Sequence, residues 1–395
     1  MSSLAYRGMF LERRNQTILV SGESGAGKTE TVKIVLHHLA TLETASLLAD
    51  GDEWPTSNLV KHIIESSPVF EAFGNAATVR NHNSSRFGKM SRLHFGFTEN
   101  GMCGLRGSSC QTYLLETNRV VSQNPRERNF HIFYQLLSAP PSTKAKLLGK
   151  SWEDKDANEF LYLNVTPTTE KDSELWIETH RALEFFGWNG ERLESLCQAL
   201  GAILHLGNIV FTEDPESDGC YASLDAVDQA ADALGLTAAT LDHALRHRCI
   251  TTAGERVETK LTPVTAKDSL DTFVRNLYSD IFQSILESVN SHTMDKDLEE
   301  EGGIINLLDI YGFEALKTNT LEQLCINYAN EMLHKKYVDD NFQRFKIEYE
   351  KEGIELFDFS VVDNVDVLEL LEAKEGIVNM MNEECRMPNG SSEVS

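Results

Sequence analysis

Gly22-Glu23-Ser24-Gly25-Ala26-Gly27-Lys28-Thr29 decides the fold. It fits the pattern G-x-x-x-x-G-K-[ST], and both flanks agree with it. Thr17-Ile18-Leu19-Val20 before it is a short apolar, β-branched run that predicts a buried strand, while Val32, Val35, Leu36, Leu39 and Leu42 after it recur at helical spacing. Strand, glycine-rich loop and helix together make a phosphate cradle. The glycines let backbone N–H groups curl around a polyphosphate without Cβ clashes, and the helix N-terminus adds favourable dipole charge. Gly22, Glu23, Ser24, Gly25, Ala26 and Gly27 form the cradle, Lys28 reaches the β- and γ-phosphates, and the Thr29 hydroxyl suits Mg²⁺.

The chain has 395 residues, room for two or three packed units or one elaborate domain, and at 41% hydrophobic it is a folding sequence. A net charge of -25 argues against nucleic acid or an anionic membrane as a general partner, because both would repel it. No stretch has the length and apolarity of a membrane span, and Met1-Ser2-Ser3-Leu4-Ala5-Tyr6-Arg7 opens no signal peptide. Seven scattered cysteines without a C-x-x-C pair predict reduced thiols in a cytosolic protein, not a disulfide frame or zinc site.

Residues 65–81 carry Phe70, Phe73 and then Gly74-Asn75-Ala76, an amphipathic segment running into a polar loop. Leu93, Phe95 and Phe97 alternate with Arg92, His94 and Gly96, the period of a half-buried strand. Asn100-Gly101 predicts a hairpin turn into a second strand over residues 102–113. Residues 130–207 read as mostly helical, 214–219 as a surface loop, and 299–303 as a solvated acidic loop. Ile304-Ile305-Asn306-Leu307-Leu308-Asp309 predicts another buried strand ending in a carboxylate, and residues 320–350 a long polar helix with few interruptions. No repeat or linker marks a boundary between independent domains. His243 and His247 stand four apart on an expected helix; with no third ligand nearby in sequence, they read as a plain helix face.

Hydrolysis needs more than a cradle: groups must sense the γ-phosphate, order water and neutralise developing charge. Asn81-His82-Asn83-Ser84-Ser85-Arg86-Phe87-Gly88-Lys89 offers the amides of Asn81 and Asn83, the adjacent hydroxyls of Ser84 and Ser85, and the Arg86 guanidinium. These suit phosphate oxygens, Mg²⁺ and a carboxylate respectively. Asp309-Ile310-Tyr311-Gly312-Phe313-Glu314 ends the later strand, where Asp309 can hold Mg²⁺ through water and Gly312 can offer its N–H to the γ-phosphate. Each stretch alone reads as a turn. Their order together points to one nucleotide site.

The three loops resemble the P-loop, switch I and switch II of the myosin motor domain. The surrounding text is similar too: Glu12-Arg13-Arg14-Asn15-Gln16, Phe73-Gly74-Asn75-Ala76, Tyr113-Leu114-Leu115-Glu116, Glu127-Arg128-Asn129-Phe130-His131-Ile132-Phe133, Ile203-Leu204-His205-Leu206-Gly207-Asn208-Ile209 and Glu322-Gln323-Leu324-Cys325-Ile326-Asn327-Tyr328. The resemblance covers residues 5–388. It implies an α/β P-loop NTPase core, a mixed and mostly parallel sheet flanked by helices, with a large mostly helical insertion between switch I and switch II. Residues 1–115 would hold the P-loop, switch I and hairpin, 116–303 the helical upper region, 304–350 switch II and the relay helix, and 351–395 the start of a lower region.

The resemblance implies an ATPase that uses ATP and Mg²⁺ to drive a cytoplasmic, cytoskeletal motor along actin filaments. Light chains or calmodulin would bind a lever region outside this chain, with neither nucleic acid nor a membrane span involved. Lys28 would contact the β- and γ-phosphates and Ser24 the γ-phosphate; Thr29 and Ser85 would ligate Mg²⁺ directly and Asp309 through water. Asn81 would touch the phosphate chain, Ser84 would lie beside the lytic water, Gly312 would donate its N–H, and Arg86 would pair with Glu314 when the switches close. Residues 251–260 resemble an actin-facing loop in which Glu255 occupies a position that is either acidic or phosphorylatable. Leu356 and Leu321 depart from a more usual tryptophan and phenylalanine, and Gly390-Ser391-Ser392-Glu393-Val394-Ser395 loses the pattern. The family's adenine-pocket, converter and lever segments have no counterpart in these residues, so the chain reads as a piece of a motor, with its P-loop strand at an open sheet edge. Kinesins share the switch skeletons but follow S-S-R with Ser-His where Phe87-Gly88 stands here, and GTPases need an N-K-x-D motif that is absent. A non-catalytic interaction fragment is the remaining alternative.

Overall fold

The computed structural model describes residues 1–22, 25–47, 56–97, 103–164, 166–252, 255–294, 303–315, 319–354 and 363–387. The chain divides into two compact units, Met1–Val20 with Gly27–Ile310, and Ser21–Ala26 with Tyr311–Ser395.

The strands, all in the first unit, are β1 (Gln16–Val20), β2 (Asn75–Ala76), β3 (Ser84–Ser85), β4 (Gly88–Phe97), β5 (Cys103–Tyr113), β6 (Phe211–Glu213), β7 (Cys220–Ala222), β8 (His247–Thr252), β9 (Glu255–Lys260) and β10 (Gly303–Asp309). Its helices are α1 (Ser2–Glu12), α2 (Lys28–Leu47), α3 (Thr56–Gly74), α4 (Asn118–Val121), α5 (His131–Leu137), α6 (Pro141–Leu148), α7 (Glu170–Phe185), α8 (Glu191–Gly207), α9 (Leu224–Leu234), α10 (Ala238–Arg246) and α11 (Pro263–Thr293).

A four-stranded sheet runs in the order β1-β10-β4-β5. β1 is parallel to β10, with Val20 opposite Asp309, whereas the β10–β4 and β4–β5 pairings are antiparallel. The sheet is mixed as expected, but the expectation of a mostly parallel one is corrected. β4 and β5 are consecutive arms of a hairpin, which pairs antiparallel by construction, and β4 also runs against β10. Phe97 faces Cys103 across that hairpin, and Asn100 and Gly101 lie outside the described residues.

Alternation puts Leu93 and Phe95 of β4 with Ile305 and Leu307 of β10 on one face, packed with Met9 of α1 and Leu36 and Leu39 of α2. His94, expected on an open face, is buried, and its Nε2 meets Ser109 Oγ at 3.1 Å. α11 grips the neighbouring strand β5. Cys110 N donates to Asn290 Oδ1 at 2.7 Å, Asn290 Nδ2 donates to Cys110 O at 2.9 Å, and Thr293 Oγ1 donates to Ser108 O at 2.7 Å. Backbone groups that an edge strand would offer to another chain are thereby used.

The helical expectation for residues 130–207 holds, with α5 to α8 and three short 3₁₀ turns in that span. α11 starts cleanly because the Thr262 side chain accepts from Thr265 N and Pro263 takes the first helical position. Tyr278 on α11 is fully buried, stacked 4.9 Å from Phe130 and 5.6 Å from Phe133, and its hydroxyl donates to Phe73 O at 2.7 Å. The expected loop over 214–219 joins β6 to β7. Residues 251–260, read as a loop, instead belong to the β8–β9 hairpin with Thr252 opposite Glu255. Its tip at 253–254 and the Glu255 side chain lie outside the described residues, as do 299–302, Leu356 and 390–395.

In the second unit, α12 (Leu321–Val338), α13 (Arg344–Lys351), α14 (Val365–Glu372) and α15 (Ile377–Glu384) follow one another. Thr320 and Gln323 form a capping box at the start of α12. The helix expected over 320–350 is interrupted by a π turn at Asp339–Gln343, which widens the coil before α13.

Candidate functional site

The glycines of the expected phosphate cradle are required by backbone shape, not by crowding. Gly25 and Gly27 hold φ of 84° and 83°, and a Cβ added to either would meet no atom within 4 Å. Only a residue without a side chain adopts that left-handed conformation without strain. Gly22 has φ of 147°, and Glu23 and Ser24 lie outside the described residues.

Lys28 and Thr29 open α2, so the sequence that ends the cradle also starts the helix. Thr29 Oγ1 donates to Asp309 Oδ2 at 2.9 Å, joining the first turn of α2 to the last residue of β10. Thr29, Ser85 and Asp309 line one cavity of about 570 Å³, with Lys33, Lys89 and Ser91 also at its wall. Val32, Leu36, Ile63, Phe70 and Phe87 add apolar wall, and His37, His38, Glu71 and Asn75 polar wall. Burial pushes the Asp309 carboxyl above the usual carboxylate range, against the Thr29 hydrogen bond and the charges of Lys89, Lys28 and Lys33. Three cations are thus within electrostatic reach of one carboxylate.

The polar stretch after Ala76 is pinned at several points. Asn81 closes its own turn: its N–H donates to Thr78 Oγ1 at 3.1 Å, while its side chain accepts from Asn83 N and donates to Asn83 O, each at 3.1 Å. Asn83 Nδ2 donates to Glu71 Oε2 at 2.8 Å, which fixes the amide orientation because a carboxylate only accepts. Asn83 Oδ1 therefore accepts from Asn75 Nδ2 at 2.8 Å and from His131 Nε2 at 3.2 Å. That assigns the proton of neutral His131 to Nε2. Burial, with Arg128 adding to it, lowers the His131 pKa to about 4, so the neutral form is the one present near neutrality. Glu71 also accepts from Lys33 at 3.0 Å. Burial alone would depress the Lys33 ammonium, but Glu71 and Glu30 raise its pKa.

Ser84 is buried and accepts from Arg86 Nη1 at 3.2 Å, and Ser85 Oγ donates to Phe87 O at 2.8 Å. Arg86, 1% exposed, places Nε 2.5 Å from Glu116 Oε2. Arg119 Nε contacts the same oxygen at 2.8 Å, and its Nη2 meets Glu127 Oε2 at 3.0 Å. Burial would raise the Glu116 pKa, yet Arg86 and Arg119 hold it below the ordinary range. Two guanidinium groups and two carboxylates thus sit under this stretch as a neutral cluster.

In the second unit, the segment containing Gly312 and Glu314 is held by α12. Asn330 Nδ2 donates to Tyr311 O at 2.9 Å. Asn327 brackets Glu314, accepting from its N–H at 2.9 Å and donating to its carbonyl at 2.7 Å, and Gln323 Nε2 donates to the Glu314 carboxylate at 3.2 Å. Gly312 and Glu314 are both buried.

Sequence reasoning did not single out Glu71, Glu116, His131 or Asn327 for a role. Each lies in, or next to, a stretch whose wording resembles the family, but a carboxylate on a helix or strand end gives no local signal of the partner it will meet.

Residues 1–394 match the family described as myosin head (motor domain). Among curated proteins, Myosin-5 of Arabidopsis thaliana is 39% identical over 399 residues, covering 99% of this chain and 25% of that protein. Myosin-14 of the same organism is 38% identical over 403 residues, covering 100% of this chain and 26% of that protein, and Myosin-16 is 35% identical, covering 100% and 31%. The chain spans about a quarter of the length of the relatives it matches. A family match over 394 of 395 residues leaves no competing assignment, and the chain belongs to the myosin head (motor domain) family.

Proposed function

We propose that this chain binds and hydrolyses Mg-ATP as the nucleotide-handling part of an actin-based motor of the cytoplasmic cytoskeleton. The observation that carries the reading is the Thr29–Asp309 hydrogen bond at 2.9 Å in a cavity that Ser85 also lines. Two hydroxyls and a carboxylate are hard oxygen donors, which suits Mg²⁺, and a carboxyl whose pKa burial has raised is one that a divalent cation would hold ionised. Thr29 and Ser85 would hold the ion directly and Asp309 through water. Mg²⁺, when bound, neutralises negative charge on the β- and γ-phosphate oxygens.

The chain's own residues do the rest. Backbone N–H groups of residues 22–27 cradle the phosphates, Lys28 adds a positive charge at the β- and γ-positions, and Ser24 contacts the γ-phosphate. Asn81 and Asn83 stand along the phosphate chain, Ser84 orients the attacking water, and Gly312 donates its N–H to the γ-phosphate. Arg86 and Glu314 form a charge-assisted pair in the hydrolytic state, which ties chemistry to a change of conformation. The grip of Asn327, Asn330 and Gln323 supports the last step, because any displacement of Glu314 is delivered to α12. Actin, and light chains or calmodulin, are the partners this reading assigns to the longer motor.

A titration of the chain with a fluorescent ATP analogue, with and without Mg²⁺, tests the proposal. Lys28→Ala should abolish binding, and Ser85→Ala and Asp309→Asn should remove the gain that Mg²⁺ gives. Arg86→Ala should retain binding and lose turnover, since it acts on the transition state. Binding indifferent to Mg²⁺, or surviving Lys28→Ala, would overturn the assignment.

A further inference from the structure

We propose that His243, His247 and Glu258 form a surface site for a divalent transition-metal ion of the zinc type, separate from the phosphate cavity. The sequence offered two histidines four apart and no third ligand; the fold supplies the third. α10 ends at Arg246, so His247 is not on the helix but begins β8, and the hairpin returns Glu258 on β9. One ligand atom from each of the three residues lies within 4.8 Å of the others.

His243 Nε2 and Glu258 Oε1 are 2.7 Å apart, and the two imidazole rings stack with centroids 4.4 Å apart and planes 17° from parallel, so one ring must turn about its χ2 before both in-plane lone pairs meet on one ion. His247 Nδ1 lies 3.1 Å from His243 O. A carbonyl only accepts, so Nδ1 carries the proton and Nε2 presents its lone pair, the orientation that a backbone hydrogen bond gives to metal-binding histidines. Tetrahedral zinc with bonds of about 2.0–2.1 Å places its ligands about 3.4 Å apart. The separations in the cluster bracket that spacing, and admitting the ion takes opening of the His243–Glu258 hydrogen bond and rotation of one imidazole.

The surroundings favour a cation. Arg246 is paired with Asp242, and Lys260 Nζ reaches Ser217 Oγ at 3.1 Å and Asp214 at 3.8 Å, so these two neighbouring positive charges are already engaged. The chain's net charge of -25 adds long-range attraction. Two imidazoles and one carboxylate select zinc, nickel or copper over Mg²⁺ and Ca²⁺, which require oxygen-rich shells. Cys249 pairs with Glu258 across the hairpin but lies outside the three-residue cluster, so the fourth position would be filled by water. A bound ion would fasten the end of α10 to β9.

Zn²⁺ titrated calorimetrically into the metal-free chain, in excess Mg²⁺, should show one ion bound per chain. His243→Ala, His247→Ala and Glu258→Gln should each weaken it at least about tenfold, as loss of a ligand or its support does. His180→Ala, which removes another surface histidine beside a glutamate, should leave it unchanged. Co²⁺ in place of Zn²⁺ should give the intense visible absorption of a tetrahedral site in the parent chain and lose it in His243→Ala. His243 and Glu258 are exposed and His247 is half-buried, so the variants keep their fold. Equal Zn²⁺ affinity in a His243→Ala/His247→Ala double variant would overturn the proposal. So would binding lost only on Cys249→Ser, or an absence of binding at stoichiometric metal.

Discussion

Replacing Arg119 by methionine keeps much of its volume but removes one cation from a buried cluster of four charges. Arg119 and Glu127 are 3% and 2% exposed, and their 3.0 Å contact is the main compensation for the Glu127 charge. With Arg119→Met, among the described residues the Glu127 side chain keeps only the Val79 N–H at 3.5 Å, and the Glu116 carboxylate only Arg86. Stranding one buried carboxylate in this way costs about 3–5 kcal/mol. Glu127→Gln alone leaves Arg119 with Glu116 and with its 3.1 Å bond to Arg128 O, and so should cost about 1–2 kcal/mol. The double variant, with no stranded charge, should be more stable than the sum of the two losses by about 2 kcal/mol. Urea unfolding followed by the fluorescence of the buried Trp152, Trp176 and Trp188 reads all four corners of the cycle. Losses that add to within about 0.5 kcal/mol, or an Arg119→Met cost below about 1 kcal/mol, would refute the claim that these charges form one coupled cluster.

Acid should destabilise the first unit between about pH 6.5 and pH 4, because the folded pKa of His131 and of His205 is lowered to about 4 by burial while the unfolded value is 6.5. The stability they give is complete above pH 6.5 and is lost as the pH falls to 4, by about 3 kcal/mol for His131 and by less for the partly solvated His205. Urea midpoints across that range should flatten in His131→Gln, and an unchanged pH slope would contradict the reading. At Gly74 an added Cβ would lie 2.2 Å from Phe87 Cε1, and at Gly207 2.4 Å from Tyr162 Cδ2. Alanine at either site should cost about 1–3 kcal/mol through overpacking, and Phe87→Leu should partly restore Gly74→Ala if the ring is the obstacle. β1 lies at one end of the sheet order, and an edge strand invites pairing with another chain. The isolated chain should therefore self-associate in light scattering and show negligible actin-activated ATPase; a monodisperse chain that hydrolyses ATP faster with actin would count against this.

The elements closest to the phosphate cradle were legible because local chemistry dictates them. A β-branched run, glycines at left-handed φ and apolar residues at helical spacing specify β1, the loop and α2 without reference to the rest of the chain. β10 was readable for the same reason. Sheet order and sense were not, since nothing in residues 303–309 says that a hairpin arm will lie antiparallel beside them. His94 misled because alternation reports one face of a strand and not what later covers the other. The functions expected of Asn81 and Asn83 came from their chemistry alone; Asn81 is held by its neighbours in sequence, but the partners that orient the Asn83 side chain, Glu71 and His131, stand 12 and 48 residues away. The third ligand for His243 was hidden in the same way, 15 residues on and across a hairpin not seen as one.

Val20, Asp309 and Lys89 occupy a single rung of the sheet, each opposite the next. At ordinary strand spacing that sets these three residues of β1, β10 and β4 within about 10 Å of one another. Length changes are consequently unequal in their effect. A residue added in the loop between β6 and β7 alters a surface, whereas one removed from the seven of Gly303–Asp309 turns Asp309 to the opposite side of the sheet and away from Thr29. Splicing or insertion events that preserve every named side chain would still disable the site if they fell within that strand, so its count of residues is as much a determinant as their identity.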